Sequence, residues 1–275
     1  MSDAVNSSSP PLIGENLRGM EGEGLPKHVY FLGISRWKAS AVHLAMSLLL
    51  AIGIVLLLLF FWYPGEFFNA AGGKFLVMIL VGVDVILGPL ITLVIFNPKK
   101  KSLPFDLAVV ATIQAVALGY GVYTMYLARP VFVVFSGGQF TVLSANDVEE
   151  KYLNNVSRPE YKTLSLTGPK FVFNDAPKSY PDLSVMMAGI FGAAPQFYVP
   201  YNEKAIDAAK DGEPLRELIK RKPETQFQFD NFLKEIGRNV HDVVYFPIVA
   251  KAKTITALVD VKTGTVLRLV PIDPT

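Results

Sequence analysis

Three uninterrupted apolar stretches constrain this chain more than any other feature. Residues 40–63 read SAVHLAMSLLLAIGIVLLLLFFWY, residues 75–97 read FLVMILVGVDVILGPLITLVIFN, and residues 107–128 read LAVVATIQAVALGYGVYTMYLA. Together they hold one histidine, His43, and one charged side chain, Asp84. About 20 apolar residues in a helix cross a hydrocarbon layer roughly 30 Å thick. Buried helices of a large soluble core would have shorter apolar runs and hydrophilic partners around them. The first stretch also exceeds the apolar run of a signal peptide, about 7–15 residues. The pattern predicts three membrane-spanning helices within a region covering residues 34–129.

Loop charges predict the orientation. Arg36 and Lys38 precede the first span, and Lys99, Lys100 and Lys101 stand side by side between the second and third. Cytoplasmic loops carry the excess of Lys and Arg. The N-terminus and the lysine loop are therefore expected in the cytoplasm. Three crossings then place everything beyond Arg129 on the opposite side. Lys99, Lys100, Lys101 and Arg129 are the expected topology determinants.

The flanking regions differ in kind. Residues 1–33 are rich in Ser, Gly and Pro with little to bury, which predicts a disordered tail. Residues 130–275 hold equal numbers of basic and acidic side chains, so they offer no electrostatic footprint for nucleic acid. They predict a single α+β domain. Strands are expected at 131–135 and 139–143, joined through Ser136-Gly137-Gly138, and at 170–174. Ser144 and Asp147 form a capping-box pattern that opens a helix over DVEEKYLNN. A helix is expected from Pro181, then helices over NEKAIDAAKDG, EPLRELIKRK and QFDNFLKEIG. Three strands close the chain, the last two turned by Lys262-Thr263-Gly264.

Motifs for catalysis or cofactors are missing from the sequence. With no cysteine, thiol catalysis, thiolate metal sites and a disulfide framework are excluded. The three histidines, His28, His43 and His241, fall in different compartments of the expected topology. No zinc-protease, nucleophile-elbow or phosphate-loop pattern occurs. An acidic pair such as Asp182 with Glu203 is ordinary for a polar surface. The expectation is a non-enzymatic protein with no cofactor.

Polar residues inside the spans are the candidate functional positions. An ionisable group near the bilayer centre costs about 2.5–3.5 kcal/mol on insertion scales. Asp84 therefore needs a partner, a proton or a use. At about 1.5 Å of rise per residue, Gln114 and Tyr120 on the third span lie near the depth of Asp84. They are its expected partners. Three readings stay open: a clasp between helices, a contact with a partner helix, or proton transport. Pro89, five residues on, is expected to kink the second span. Ala111, Ala115 and Gly119 form a small-residue stripe, expected to pack within the three-helix bundle.

One family resemblance rests on a combination of short motifs. RWKASAVHL at 36–44, GVDVILGPLITLVIFNPKK at 82–100 and the long run DLAVVATIQAVALGYGVYTMYLARPVFVVFSGGQFTVL at 106–143 occur in that order. They resemble the type IV pilin accessory proteins of the TfpX/TfpZ family, as does the closing ALVDVKTGTVLRLV. The matching positions include Arg36, Trp37, Lys38 and His43 leading into the first span, then Asp84, Gly88, Pro89, Gln114, Tyr120 and Arg129. The resemblance implies a multi-pass protein of the Gram-negative inner membrane with its C-terminal domain in the periplasm. Its implied partners are the bilayer and a major type IV pilin, whose assembly or surface display it would assist. A membrane-anchored sensor with a ligand-binding periplasmic domain is the alternative, although the cytoplasmic side offers no kinase or nucleotide module.

Overall fold

The computed structural model describes residues 33–177, 179, 183–190 and 192–275. The expected tail (all but residue 33), His28, Asp182 and the expected helix start at Pro181 lie outside the described residues.

Three helices are long and apolar enough to cross a membrane: Arg36–Trp62, Gly73–Ile95 and Leu103–Ala128. The first and third start four residues before the apolar stretches, the first at a side-chain cap and the third at a proline in its first turn. The Ser35 side chain accepts the Lys38 N–H at 3.3 Å and opens helix α1 (Arg36–Leu57), which runs on through a π turn at Leu58–Trp62. Arg36, Trp37 and Lys38 therefore sit in the first helical turn. A four-residue helix, α2 (Phe67–Ala70), follows. The second long helix has three parts: α3 (Gly73–Val81), a π segment (Gly82–Leu87) and α4 (Gly88–Ile95). Pro89 has no N–H to give, so the regular ladder must break near it, and the wider turn absorbs that break. The third is α5 (Leu103–Ala128), with Pro104 in its first turn.

The chain then forms one mixed sheet. Its strands are β1 (Pro130–Ser136), β2 (Gln139–Ser144), β3 (Lys170–Asn174), β4 (Tyr198–Pro200), β5 (Glu213–Pro214), β6 (Val243–Val249), β7 (Ile255–Asp260) and β8 (Val266–Val270). The order is β4-β3-β1-β2-β6-β7-β8, and β5 pairs β6 beside β2. β1 and β2 form a tight hairpin in which Ser136 faces Gln139 and Gly137 and Gly138 both take positive φ. Two pairings, β1 with β3 and β2 with β6, are parallel. The helices are α6 (Glu150–Leu153), α7 (Leu183–Ile190), α8 (Tyr201–Lys210), α9 (Leu215–Arg221) and α10 (Gln226–Ile236). The capping box at Ser144 and Asp147 is present, but it caps a 3-10 turn, Ala145–Asp147. The helix expected over DVEEKYLNN is reduced to α6.

The sheet curls and is covered on both faces, so its central strands carry apolar residues at successive positions. One face buries Val133, Phe135, Phe140, Val142, Phe246, Ile248 and Ala257 against Tyr201, Ala205 and Ala208 of α8. The other face buries Val243, Tyr245 and Leu258 against α9 and α10, and Phe132 and Val134 against Tyr161 and Val156.

The apolar helices and the sheet share a core. Phe67 and Ala70 of α2 are buried in the same cluster as Phe135 and Phe246. The Ala70 carbonyl accepts the N–H groups of Ala252 and Lys253 at 3.0 and 3.2 Å. The loop between the first two long helices is thus a structural element of the domain.

The turn after β7 is held by Asp260, which is buried. Its Oδ1 accepts the N–H groups of Lys262 and Thr263, each at 2.9 Å, and its other oxygen meets Arg238 at 3.1 Å. The Thr263 N–H above all, with Lys262 and Arg238 adding, holds the carboxyl below the usual carboxylate range. A lowered folded-state value means stability that is present above the unfolded value, about 3.9, and is lost as pH falls through the folded value. Asp260→Asn should therefore flatten the decline in thermal midpoint between about pH 4 and pH 2. Identical pH dependence in the two proteins would remove this role.

Candidate functional site

The polar groups of the long helices gather where the second helix changes pitch. His43 Nδ1 and Thr92 Oγ1 share a 2.6 Å hydrogen bond. Ser40 donates its hydroxyl to the Pro89 carbonyl at 2.9 Å. Ser40 and His43 lie one turn apart on α1, as Pro89 and Thr92 do on α4, so two polar contacts join the same pair of faces. Gln114 of α5 closes the group. A Cβ on Gly88 would overlap Gln114 Nε2 and stand 3.0 Å from His43 Nε2. The glycine therefore lets both side chains close over the helix backbone.

Asp84 lies in the π segment, 8% exposed. His43 is within electrostatic reach of it. Its Oδ1 is buried and has no hydrogen-bond partner. Beside it, α3 and α5 flank a cleft of about 220 Å³, lined by Asp84, Ile79, Val83, Ala117, Tyr120 and Thr124 among others. Gly121 makes the close approach of these helices, since a Cβ there would overlap Leu80 Cδ1.

The sequence-selected residues are distributed as follows. Gln114 lies against Gly88 beside His43. Tyr120 borders the cleft with Asp84, but its side chain is 72% exposed. Ala111, Ala115 and Gly119 are exposed, so this stripe does not pack inside the bundle as expected. It occupies a different flank of α5 from Ala117 and Gly121, because each residue turns the helix by 100°. His43 lies apart from Arg36, Trp37 and Lys38. Those three are exposed at the helix start, while His43 reaches across to α4.

Among the basic residues, Lys99 and Lys101 are exposed in the turn between α4 and α5, and Lys100 meets Asp106 at 2.6 Å. Arg129 is no free loop charge. It is 3% exposed, donates from Nε to the Ser165 carbonyl at 3.0 Å and from Nη1 to the Tyr126 carbonyl at 2.6 Å, and lies over the Tyr126 ring at 3.9 Å. Ser40 and Thr92 escaped the sequence reading. Their signal was the shared three-residue spacing to His43 and Pro89.

In the sheet domain, Glu203 is occupied by Arg158, which donates to it from two nitrogens at 3.0 and 2.9 Å. His241 is exposed in a 3-10 turn, Val240–Asp242. Among the described residues no group of His, Asp and Glu is placed to hold a metal ion.

These features define a class: a protein with three potential membrane spans clasped by polar contacts and rooted in a curled-sheet domain. No family model matches the chain, and no solved structure matches it. It is 28% identical over 221 residues to the fimbrial assembly protein of serogroup I from Dichelobacter nodosus, covering 78% of this chain and 86% of the relative. The serogroup E1 protein is 27% identical over the same shares. The fimbrial assembly protein of serogroups C1 and C2 is 38% identical over 113 residues, 40% of this chain and 86% of that relative. The chain belongs to the family of these fimbrial assembly proteins.

Proposed function

We propose that this chain is a non-enzymatic accessory protein of the inner membrane that assists assembly or surface display of a type IV pilin, in the manner of the TfpX/TfpZ group. Its N-terminus and lysine loop face the cytoplasm and its sheet domain faces the periplasm. The observation that carries the reading is the kinship with fimbrial assembly proteins over most of their length. Two physical features support it. The long helices leave most of their apolar surface uncovered by protein, with 11%, 28% and 0% of an 18-residue apolar stretch of each buried, which leaves the rest to lipid or other helices. The shared core at Phe67 and Ala70 packs the sheet domain against the loop between the first two long helices, an arrangement suited to meeting a subunit both in the membrane and outside it.

Deletion of the gene tests the role. Surface fimbriae should fall at least tenfold. Unchanged total subunit would locate the role in assembly, whereas loss of subunit would make it a stabilising chaperone. Unchanged surface fimbriae would overturn the proposal.

A further inference from the structure

We propose that the cleft between α3 and α5 is the seat of a transmembrane helix of the fimbrial subunit, which presents a hydrogen-bond donor to the Asp84 carboxyl on the cleft wall; this rests on the proposed role in fimbrial assembly. A buried carboxylate oxygen without a donor is costly in hydrocarbon. Among the described residues no donor meets Oδ1: the His43 bond runs from Nδ1 to Thr92, and the Thr124 hydroxyl on the cleft wall is donated to the Tyr120 carbonyl. An acyl chain fills volume but has no proton to donate. A polar side chain carried on an apolar helix supplies both, and this is the complement the oxygen lacks.

The geometry suits a helix as well. Ala117 makes one wall low, and Gly121 brings α5 against Leu80 at the cleft floor. Without a hydrophobic gain from leaving water, close backbone approach and a hydrogen bond are the terms left to drive helix association in lipid. A cleft of about 220 Å³ takes a knob from a helix rather than a whole helix, as in ordinary knobs-into-holes packing. Ile79 and Tyr120, both largely exposed, form its rim.

The test uses the full chain in cells that make the fimbrial subunit. A small diazirine amino acid is placed at Ile79 on the rim, or at Leu49 on the first span as a control. Light should give an adduct with the subunit from Ile79 and at least tenfold less from Leu49. Asp84→Leu should cut the Ile79 adduct tenfold or more at equal protein level, and Asp84→Asn, which keeps an acceptor oxygen, should retain most of it. Ala117→Phe fills the cleft without touching Asp84 and should give the same loss as Asp84→Leu.

An Ile79 adduct only with lipid or with a second copy of this chain would overturn the inference. So would a subunit adduct that is indifferent to Asp84→Leu and Ala117→Phe. Either result, with fimbriae still lost on deletion, leaves the assembly role standing and removes only this site. Unchanged fimbriae on deletion would instead remove the role itself.

Discussion

Gly88→Leu should be the most damaging single change in the long helices, lowering the level of protein in membranes several-fold and the thermal midpoint in detergent with it. The reason is local. Gln114 Nε2 lies where the first carbon of any side chain at residue 88 would go, and His43 Nε2 lies 3.0 Å from it. Overpacking of this kind costs about 1–3 kcal/mol and more where the neighbours are pinned. His43 is pinned by Thr92, and the Pro89 carbonyl is engaged by Ser40, so the backbone of α4 has little freedom to retreat.

A leucine therefore has to displace Gln114 and push α1 away from α4. Gly88→Ala should do much less, because the obstacle is the far end of a flexible side chain that can rotate aside. Combining Gly88→Ala with Gln114→Ala should recover part of the loss, giving a coupling of about 0.5–3 kcal/mol of the kind seen for touching residues. Additive effects in that double variant, read from thermal unfolding in detergent, would show that the two residues do not meet.

The same cluster shows what was legible in the sequence and what was not. Length and apolarity alone placed three long helices, because runs of more than about 20 apolar residues are long enough to cross a membrane as helices. The helix ends were less legible. Ser35 and Pro104 extend α1 and α5 into polar sequence where hydropathy has already stopped.

Asp84 announced itself by its charge. Its neighbours did not, because depth arithmetic gives position along an axis but not around it. Gln114 and Tyr120 lie within a few residues of Asp84 in depth, yet they point in different directions: one against Gly88, the other to the rim of the cleft. The small-residue stripe failed for the same reason. Ala111, Ala115 and Gly119 mark a flank of α5, and spacing cannot say which flank meets a neighbour.

In the sheet domain, local signals held where local chemistry decides, as at the Gly137-Gly138 turn and the Asp260 turn. They were silent on the parallel pairings of β1 with β3 and β2 with β6, which join segments far apart in sequence. β4 and β5, three and two residues long, carry no periodicity to read.

Arg129→Met should loosen the joint between the long helices and the sheet, raising the rate of proteolysis near residues 129–130 tenfold or more in detergent. Helix α5 ends because Pro130 cannot continue it. The carbonyl of Tyr126 would normally accept the N–H four residues on, and that residue is Pro130, which has none. Arg129 Nη1 replaces the missing donor, its Nε holds the Ser165 carbonyl, and its charge lies at the negative end of the helix dipole.

Truncation to methionine keeps much of the apolar stem but leaves two part-buried carbonyls without their donor, at up to about 1–3 kcal/mol each where water does not reach them. Arg129→Lys should rescue little, since a single ammonium lacks the planar fork that serves two carbonyls while lying over the Tyr126 ring. The second tether, from Ala70 to Ala252 and Lys253, remains in either variant, so the domain should stay folded and keep its circular dichroism while the junction becomes cleavable. If Arg129→Met resists protease as the wild type does, then the Ala70 tether and the Tyr63 hydroxyl bond to the Met125 carbonyl hold the joint without the arginine.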